Sequence, residues 1–331
     1  MKNIAFLYTE YQQNILFSIC EQENIKFDII FIKDNIKINK YINLYTKEVI
    51  VYKNIHYKVS NILNYYNEFN ANIKKHLKKN DKYLIFTWSI ENPIVRFSLL
   101  YLKDYEVNLI EDGTGSYIDW QDNKLLGIKS FIAISLIKLL TNVFSLSKNK
   151  IKNKVTKGWS LFRNSFPEFD IKKNIIQKKY FIKVINTQSE TCKNNIELKD
   201  NSLVFISSPY VEVGLLKEEE YLEILLSNLK KIKKVDYFYW KPHPRISLKK
   251  EQQRINFINN KLNINFHLIN INTNIELIAY MNRYKKIIYT SLGSTSLYVL
   301  KALNIDNILL LEVKWEKKIL LEVNNFLKKI L

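Results

Sequence analysis

Three stretches of this sequence hold residue types that move protons and grip an anion. The first, Glu111-Asp112-Gly113-Thr114-Gly115, sets two adjacent carboxylates ahead of two glycines. Adjacent side chains at a strand end point to opposite faces, so one of the pair can meet a ligand while the other turns away. A second carboxylate nearby and partial burial both make such a group a better base. Gly113 and Gly115 let the chain turn sharply. The plain alternative is an acidic-glycine turn without chemistry.

The second stretch is Lys241-Pro242-His243-Pro244-Arg245. Each proline holds its own φ at about −65°, and Pro244 pushes His243 towards an extended conformation. An imidazole held this way loses little entropy on meeting a ligand. Lys241 and Arg245 favour an anion and lower the histidine pKa until one binds. A histidine that gains charge as an anion arrives suits a departing phosphate. The plain alternative is a proline-stiffened strand end with solvated charges. The third stretch, Ser291-Leu292-Gly293-Ser294-Thr295-Ser296, is a strand-to-helix turn with four hydroxyls. Helix-start amides and the hydroxyls of Ser291, Ser294, Thr295 and Ser296 can hold a phosphate, with Gly293 allowing close approach. Simple N-capping is the alternative.

These stretches need elements to position them. Apolar runs at 3–9, 27–33, 49–52, 83–87 and 107–110 alternate with helical spacing at 11–22, 59–79 and from Pro93 to 102. The pattern resumes with strands at 203–207, 235–240, 264–268, 286–290 and 308–311. Its helices are expected at 217–231, 275–281, 297–303 and 316–331. Strands alternating with helices mean parallel sheets covered on both faces, which bind ligands beyond the carboxyl ends of their strands. The expected fold is therefore α/β, with two Rossmann-like domains facing across a cleft, over 1–170 and 171–331. The junction is placed at Pro167 and the lysine-rich run 172–179. The N-terminal domain would be the acceptor side and the C-terminal one the nucleotide-sugar side. Between them, about 125–157 is an apolar and then basic insert. It reads either as helices lying on an anionic membrane surface or as a core helix followed by a solvated linker.

At this point the sequence resembles bacterial sialyltransferases that share an acidic-acidic-Gly motif, a His-Pro motif and a Ser/Thr turn. The runs that carry the likeness are Glu111 to Gly115, Pro242 to Arg245 and the Ser207-Ser208-Pro209 turn. The lipooligosaccharide sialyltransferases, glycosyltransferase family 52, are placed first, with the capsule polysialyltransferases as a near alternative. The resemblance implies a GT-B-like, inverting, metal-independent enzyme without a cofactor. It would move sialic acid from CMP-sialic acid to a galactoside hydroxyl of a lipooligosaccharide or capsule glycan. His243 would be the general acid or the stabiliser of the departing CMP phosphate. Lys241, Pro244, Arg245, Ser291, Ser294, Thr295 and Ser296 would hold the donor. Asp112, or Glu111 after it, would deprotonate the acceptor. One departure stands out. The lipooligosaccharide branch has an aspartate as base after the Ser-Pro turn, where this chain has Tyr210, with Glu212 two residues on as an alternative base.

Composition bounds these readings. Hydrophobic residues make up 47% and charged residues 25% of 331 residues, which excludes a disordered chain. The net charge of +19 favours anionic partners, although Lys, Asn and Ile dominate throughout, as codon bias would also produce. Cys20 and Cys192 have no metal-ligand spacing, and no Asp-x-Asp pair stands ready for a divalent ion; Asp119 and Asp122 read as solvated. The start of the chain reads as a strand rather than a signal peptide, and no apolar run reaches the roughly 18 residues of a spanning helix. The expected location is cytoplasmic, or peripheral on the inner face of the cytoplasmic membrane. Two rival functions remain. One is transfer of another CMP-activated nonulosonic acid or Kdo. The other is a non-catalytic basic protein that binds nucleic acid or membrane, against which stands the lack of any nucleic-acid module.

Overall fold

A computed structural model describes residues 1–55, 59–117, 151–190, 197–232, 235–269, 274–313 and 318–331. The chain divides into two compact units, Met1–Val184 and Ile185–Leu331. The first unit is built on seven strands: β1 (Lys2–Leu7), β2 (Phe27–Lys33), β3 (Thr46–Tyr52), β4 (Lys82–Thr87), β5 (Asp104–Ile110), β6 (Val155–Ser160) and β7 (Lys172–Ile175). Their order is β3-β2-β1-β4-β5-β6-β7 and every neighbouring pair is parallel. The order reverses between β1 and β4, the switch point at which such sheets leave room for a ligand. Ile4, Ala5, Phe6 and Leu7 are consecutive and all fully buried, so β1 is covered on both faces.

The helices of this unit are α1 (Glu10–Glu23), α2 (Ile42–Tyr45), α3 (Ile62–Glu68) and α4 (Pro93–Tyr101), and the boundary with the second unit falls within α5 (Lys178–Glu190). Thr9 starts α1 by accepting the Gln12 N–H on its hydroxyl at 3.1 Å. Asn92 does the same for Ile94 at 3.0 Å, with Pro93 at the first helical position. The C-terminal stops follow from composition. The chain has 6 glycines, and Asn24 and Asn263 adopt the left-handed conformation that ends helices.

The second unit is built on β8 (Ser202–Ile206), β9 (Tyr237–Lys241), β10 (Phe266–Leu268), β11 (Ile287–Ser291) and β12 (Ile308–Leu310). The order is β10-β9-β8-β11-β12, again all parallel, with the reversal between β8 and β11. Its helices are α6 (Glu218–Leu229), α7 (Leu248–Leu262), α8 (Ile275–Met281), α9 (Thr295–Ala302) and α10 (Lys318–Ile330). Trp240 is fully buried and its ring centroid lies 4.5 Å from that of Phe205 on the neighbouring strand. Burying a side chain of this kind stabilises by about 1.5–3 kcal/mol, before the aromatic pairing is added.

The α/β class with two Rossmann-like sheets, expected from the alternation of strands and helices, is what the structure shows. Four details differ from the sequence reading. The first unit runs to Val184, within α5, rather than to 170, because 172–175 pairs with β6 as β7. The expected single helix over 59–79 is a succession of short turns, with a π-helical segment at Phe69–Ile73 between α3 and a 3-10 turn. Its β-branched and Asn residues are poor helix formers, which fits this breakage. The strand at 49–52 is longer than expected, beginning at Thr46. Helix α7 was not anticipated at all. Of the insert expected at about 125–157, the part up to 150 lies outside the described residues, as do Asp119, Asp122 and Cys192; its end is neither a surface helix nor a linker, because Val155–Ser160 forms β6 and pairs with β5. Cys20 is buried in the core, and burial pushes its thiol up. Among the described residues no helix is long and apolar enough to cross a membrane.

Candidate active site

The acidic stretch begins one residue past the end of β5, on the carboxyl rim of the first sheet. Strand alternation separates the pair sharply. Glu111 is fully buried. Its Oε1 accepts the Tyr11 hydroxyl at 2.5 Å, and its Oε2 accepts the Tyr117 hydroxyl at 2.8 Å and the Leu161 N–H at 2.6 Å. A carboxylate with that many donors in a buried place is a fastener. The Tyr117 hydroxyl is correspondingly held well above the ordinary phenol range, by burial first and then by Glu111.

Asp112 is partly exposed and differently held. Its Oδ1 accepts the Gln12 side-chain N–H at 2.6 Å, and its own main-chain N–H donates to Ser116 Oγ at 2.8 Å. Gly113 then turns the chain at φ 80°, a conformation glycine adopts without penalty. Gly113–Tyr117, with Gly115 inside it, is a 3-10 turn. Two successive residues at the start of α1, Tyr11 and Gln12, therefore grip the two carboxylates of the pair. Neither was legible as functional in the sequence, since both read as ordinary helix residues.

In the second unit, the His-Pro turn follows β9, the Ser207-Ser208-Pro209 turn follows β8 and the hydroxyl turn follows β11. These three strands are neighbours, with the switch point between β8 and β11, so the three turns share one rim. They also touch. Ser207 N–H donates to the Lys241 carbonyl at 3.0 Å, Ser208 Oγ lies 3.2 Å from Ser291 Oγ, and the Tyr210 hydroxyl donates to the Gly293 carbonyl at 3.1 Å.

The six residues of the hydroxyl turn divide into two sets. Ser291 is fully buried, and its Oγ accepts the Ser294 N–H at 3.1 Å and the Gly293 N–H at 3.4 Å. It shapes the turn. Ser294, Thr295 and Ser296 are partly exposed at the start of α9, where Ser294 caps the helix by accepting the Ser296 N–H at 3.3 Å. Gly293 sits at φ 145°, and a Cβ there would run into the Tyr210 hydroxyl. Only a residue without a side chain fits.

His243 is partly buried, Lys241 is buried, and Pro244 and Arg245 are exposed. Its Nδ1 accepts the Arg245 main-chain N–H at 3.1 Å, which places the proton of the neutral ring on Nε2. Burial lowers the histidine pKa to about 4, helped by Arg245 and Lys241 and opposed by Glu212. The direction matches the sequence reading, but burial rather than the flanking cations leads. With its pKa lowered in this way, the ring is expected to be neutral at pH 7 and to carry its proton on Nε2.

Two residues raised by the departure after the Ser-Pro turn have other occupations. Tyr210 is buried, and burial raises its phenol above the ordinary range. Glu212 Oε1 lies 3.0 Å from both Arg254 Nη2 and Lys250 Nζ. Arg254 also pairs with Glu218 at 2.7 Å and is almost fully buried over the Tyr221 ring. Among the described residues no cluster of three or more His, Cys, Asp or Glu side chains could hold a metal ion.

Two parallel Rossmann-like sheets in one chain, the second with a histidine and a hydroxyl-lined helix start on its carboxyl rim, define an α/β protein with two Rossmann-like units. The chain belongs to the alpha-2,8-polysialyltransferase family, whose profile matches residues 3–311. It is thus a glycosyltransferase of the sialyltransferase kind, and its class of reaction is sialyl transfer onto a cell-surface glycan. The family matched is the one held as the near alternative in the sequence. A comparison with curated proteins finds no match. Among solved structures the chain is similar to the UDP-GlcNAc 2-epimerase from Methanocaldococcus jannaschii, at 13% identity and a TM-score of 0.47, over 98% of this chain and 92% of that one.

Proposed function

We propose that this chain is an inverting sialyltransferase that uses CMP-sialic acid. The observation that carries the donor assignment is the meeting of the His-Pro, Ser-Pro and hydroxyl turns on one rim of the second sheet, with Ser208 and Ser291 in contact across the switch point. Ser294, Thr295 and Ser296 hold the donor phosphate at the start of α9, where the helix dipole adds attraction. His243 donates Nε2–H to the same phosphate. As the bond from the anomeric carbon to the phosphate oxygen breaks, charge grows on the phosphate, and these preorganised donors stabilise it. Arg245 adds positive field from the exposed side of the turn.

The acceptor oxygen forms the new bond at the anomeric carbon on the face opposite the leaving CMP, which inverts the configuration. Asp112 takes the proton of that hydroxyl. Its partial exposure favours it over Glu111, whose oxygens are engaged in the interior, and over Glu212, which is paired with two cations. The donors named stabilise the leaving group without a metal ion, so turnover is expected to survive a chelator.

The test is direct. Purified protein is given CMP-sialic acid with either a lactoside or an oligosialyl acceptor, the latter following the family's description. Release of CMP with a matching glycan product is expected with one of them, and His243→Ala and Asp112→Asn should each remove most of it. A panel of CMP-activated nonulosonic acids and Kdo in the same assay identifies the sugar. No CMP release with either acceptor and any donor, from folded protein, would refute the proposal.

A further inference from the structure

We propose that Glu251, which no motif singles out, is the positioning residue of the His-Pro turn: its carboxylate holds the His243 main chain so that the ring offers Nε2–H to the donor phosphate. The inference rests on the role given to His243 above.

Glu251 lies in the first turn of α7, which Ser247 caps by accepting the Lys250 N–H at 3.3 Å. It is fully buried. Its Oε1 accepts the His243 main-chain N–H at 3.0 Å, and its Oε2 accepts the Trp240 indole N–H at 2.9 Å. One side chain thereby ties together both ends of the segment Trp240-Lys241-Pro242-His243. The two prolines of this turn have no N–H of their own, so main-chain hydrogen bonding cannot hold it as a strand would be held. A buried acceptor from another element supplies what the sequence of the turn lacks.

The other groups of His243 are engaged as well. Its carbonyl accepts the Ile246 N–H at 3.0 Å and its Nδ1 accepts the Arg245 N–H at 3.1 Å. With the main-chain N–H on Glu251, the ring nitrogen left to address a ligand is Nε2. Glu251 is suited to this because a carboxylate has acceptors at both ends. Glutamine in its place would turn an NH2 group towards either His243 N–H or Trp240 Nε1–H, setting donor against donor. Burial raises the Glu251 carboxyl above the usual range, while the main chain of His243, the side chains of Ser207 and Trp240 and the field of Arg254 hold it down.

The test compares Glu251→Gln with the wild type in the full chain. Glutamine preserves volume, so the core is kept. The expected result is a fall in kcat of about tenfold to a hundredfold, the scale of a displaced catalytic group, with the KM for the glycan acceptor unchanged. The second readout is independent of activity. Imidazole 15N–1H spectra report the tautomer of each of the 4 histidines, and the His243 signals are those missing from His243→Ala. Wild-type protein should show the Nε2–H form at His243, and Glu251→Gln should show a mixture. An unchanged His243 tautomer in Glu251→Gln, or wild-type kcat, overturns the hold assigned to Glu251. Full activity in His243→Ala overturns instead the role of the ring, and with it the purpose of the hold; the two failures are read from different samples.

Discussion

Gln12 donates its side-chain N–H to Asp112 Oδ1 at 2.6 Å, and its side-chain oxygen accepts the Tyr8 N–H at 2.6 Å. The Gln12 side chain is fully buried, although its partner Asp112 is partly exposed. The end of β1, the start of α1 and the carboxylate beyond β5 are thereby locked together across the β1–β4 switch point. Gln12→Ala should cost about 1–3 kcal/mol, the scale of leaving buried polar groups unpaired, and should lower turnover at least tenfold by releasing Asp112. Urea unfolding and steady-state kinetics on the same sample check both. Wild-type kcat in a destabilised Gln12→Ala would show that Asp112 needs no such support.

The two adjacent carboxylates should separate cleanly under substitution. Glu111→Gln puts an NH2 group against the hydroxyls of Tyr11 and Tyr117 or the Leu161 N–H, and a loss of about 1–3 kcal/mol is expected. Asp112→Asn keeps the shape of a partly exposed side chain and should leave the melting temperature nearly unchanged while abolishing most sialyl transfer. The reverse pattern would move the base to Glu111.

The pH dependence of stability has a definite sign at His243. The folded pKa is lowered to about 4, whereas an unfolded imidazole titrates near 6.5. Between those values the unfolded chain binds more protons, so this group removes stability as pH falls from about 6.5 to 4 and contributes no slope above it. Urea midpoints at pH 7, 5.5 and 4.5 should fall less steeply in His243→Gln than in wild type. Addition of CMP should raise the pKa of His243, because a phosphate favours the charged ring. An NMR titration showing no upward shift would place the nucleotide elsewhere.

Gly293 and Tyr210 form a matched pair. A methyl group at Gly293 would collide with the hydroxyl that donates to its own carbonyl. Gly293→Ala should therefore destabilise by about 1–3 kcal/mol and weaken CMP binding. Adding Tyr210→Phe, which removes the obstructing oxygen, should recover part of the stability. The positive φ at Gly293 leaves a residual cost. Simple additivity in a double-mutant cycle would contradict this contact.

Glu212→Gln tests the alternative base. Its carboxylate faces Arg254 and Lys250, and a stability loss of about 1 kcal/mol is expected from a partly exposed pair. Turnover should stay close to wild type, and a large fall in kcat with retained CMP binding would return Glu212 to the mechanism.

Some of this was readable from residue types. His243 between two prolines, and glycines placed after carboxylates or hydroxyls, are conspicuous in a chain with 6 Gly, 5 Pro and 4 His. Other parts left no mark. Glu251 sits in a helix dense with Lys, Gln and Asn, where its charge looks solvated, and the interior face of α7 rests on few apolar residues, among them Ile255 and Ile258. Gln12 looks equally ordinary. Glu212 stood as an alternative base because linear spacing does not reveal that Arg254, 42 residues on, comes to rest beside it.

By itself the sequence determined the alternation of strand and helix, the parallel sheets that follow from it, and the three turns that end strands. Those depend on local propensity and periodicity, which adjacent residues settle among themselves. The tertiary structure alone decided which carboxylate of the pair is enclosed, which serines shape a turn and which line it, and which nitrogen of His243 carries the proton. Each of those depends on a hydrogen-bond partner that reaches the group through the folding of the chain, and a buried polar group takes its character from the partner it meets.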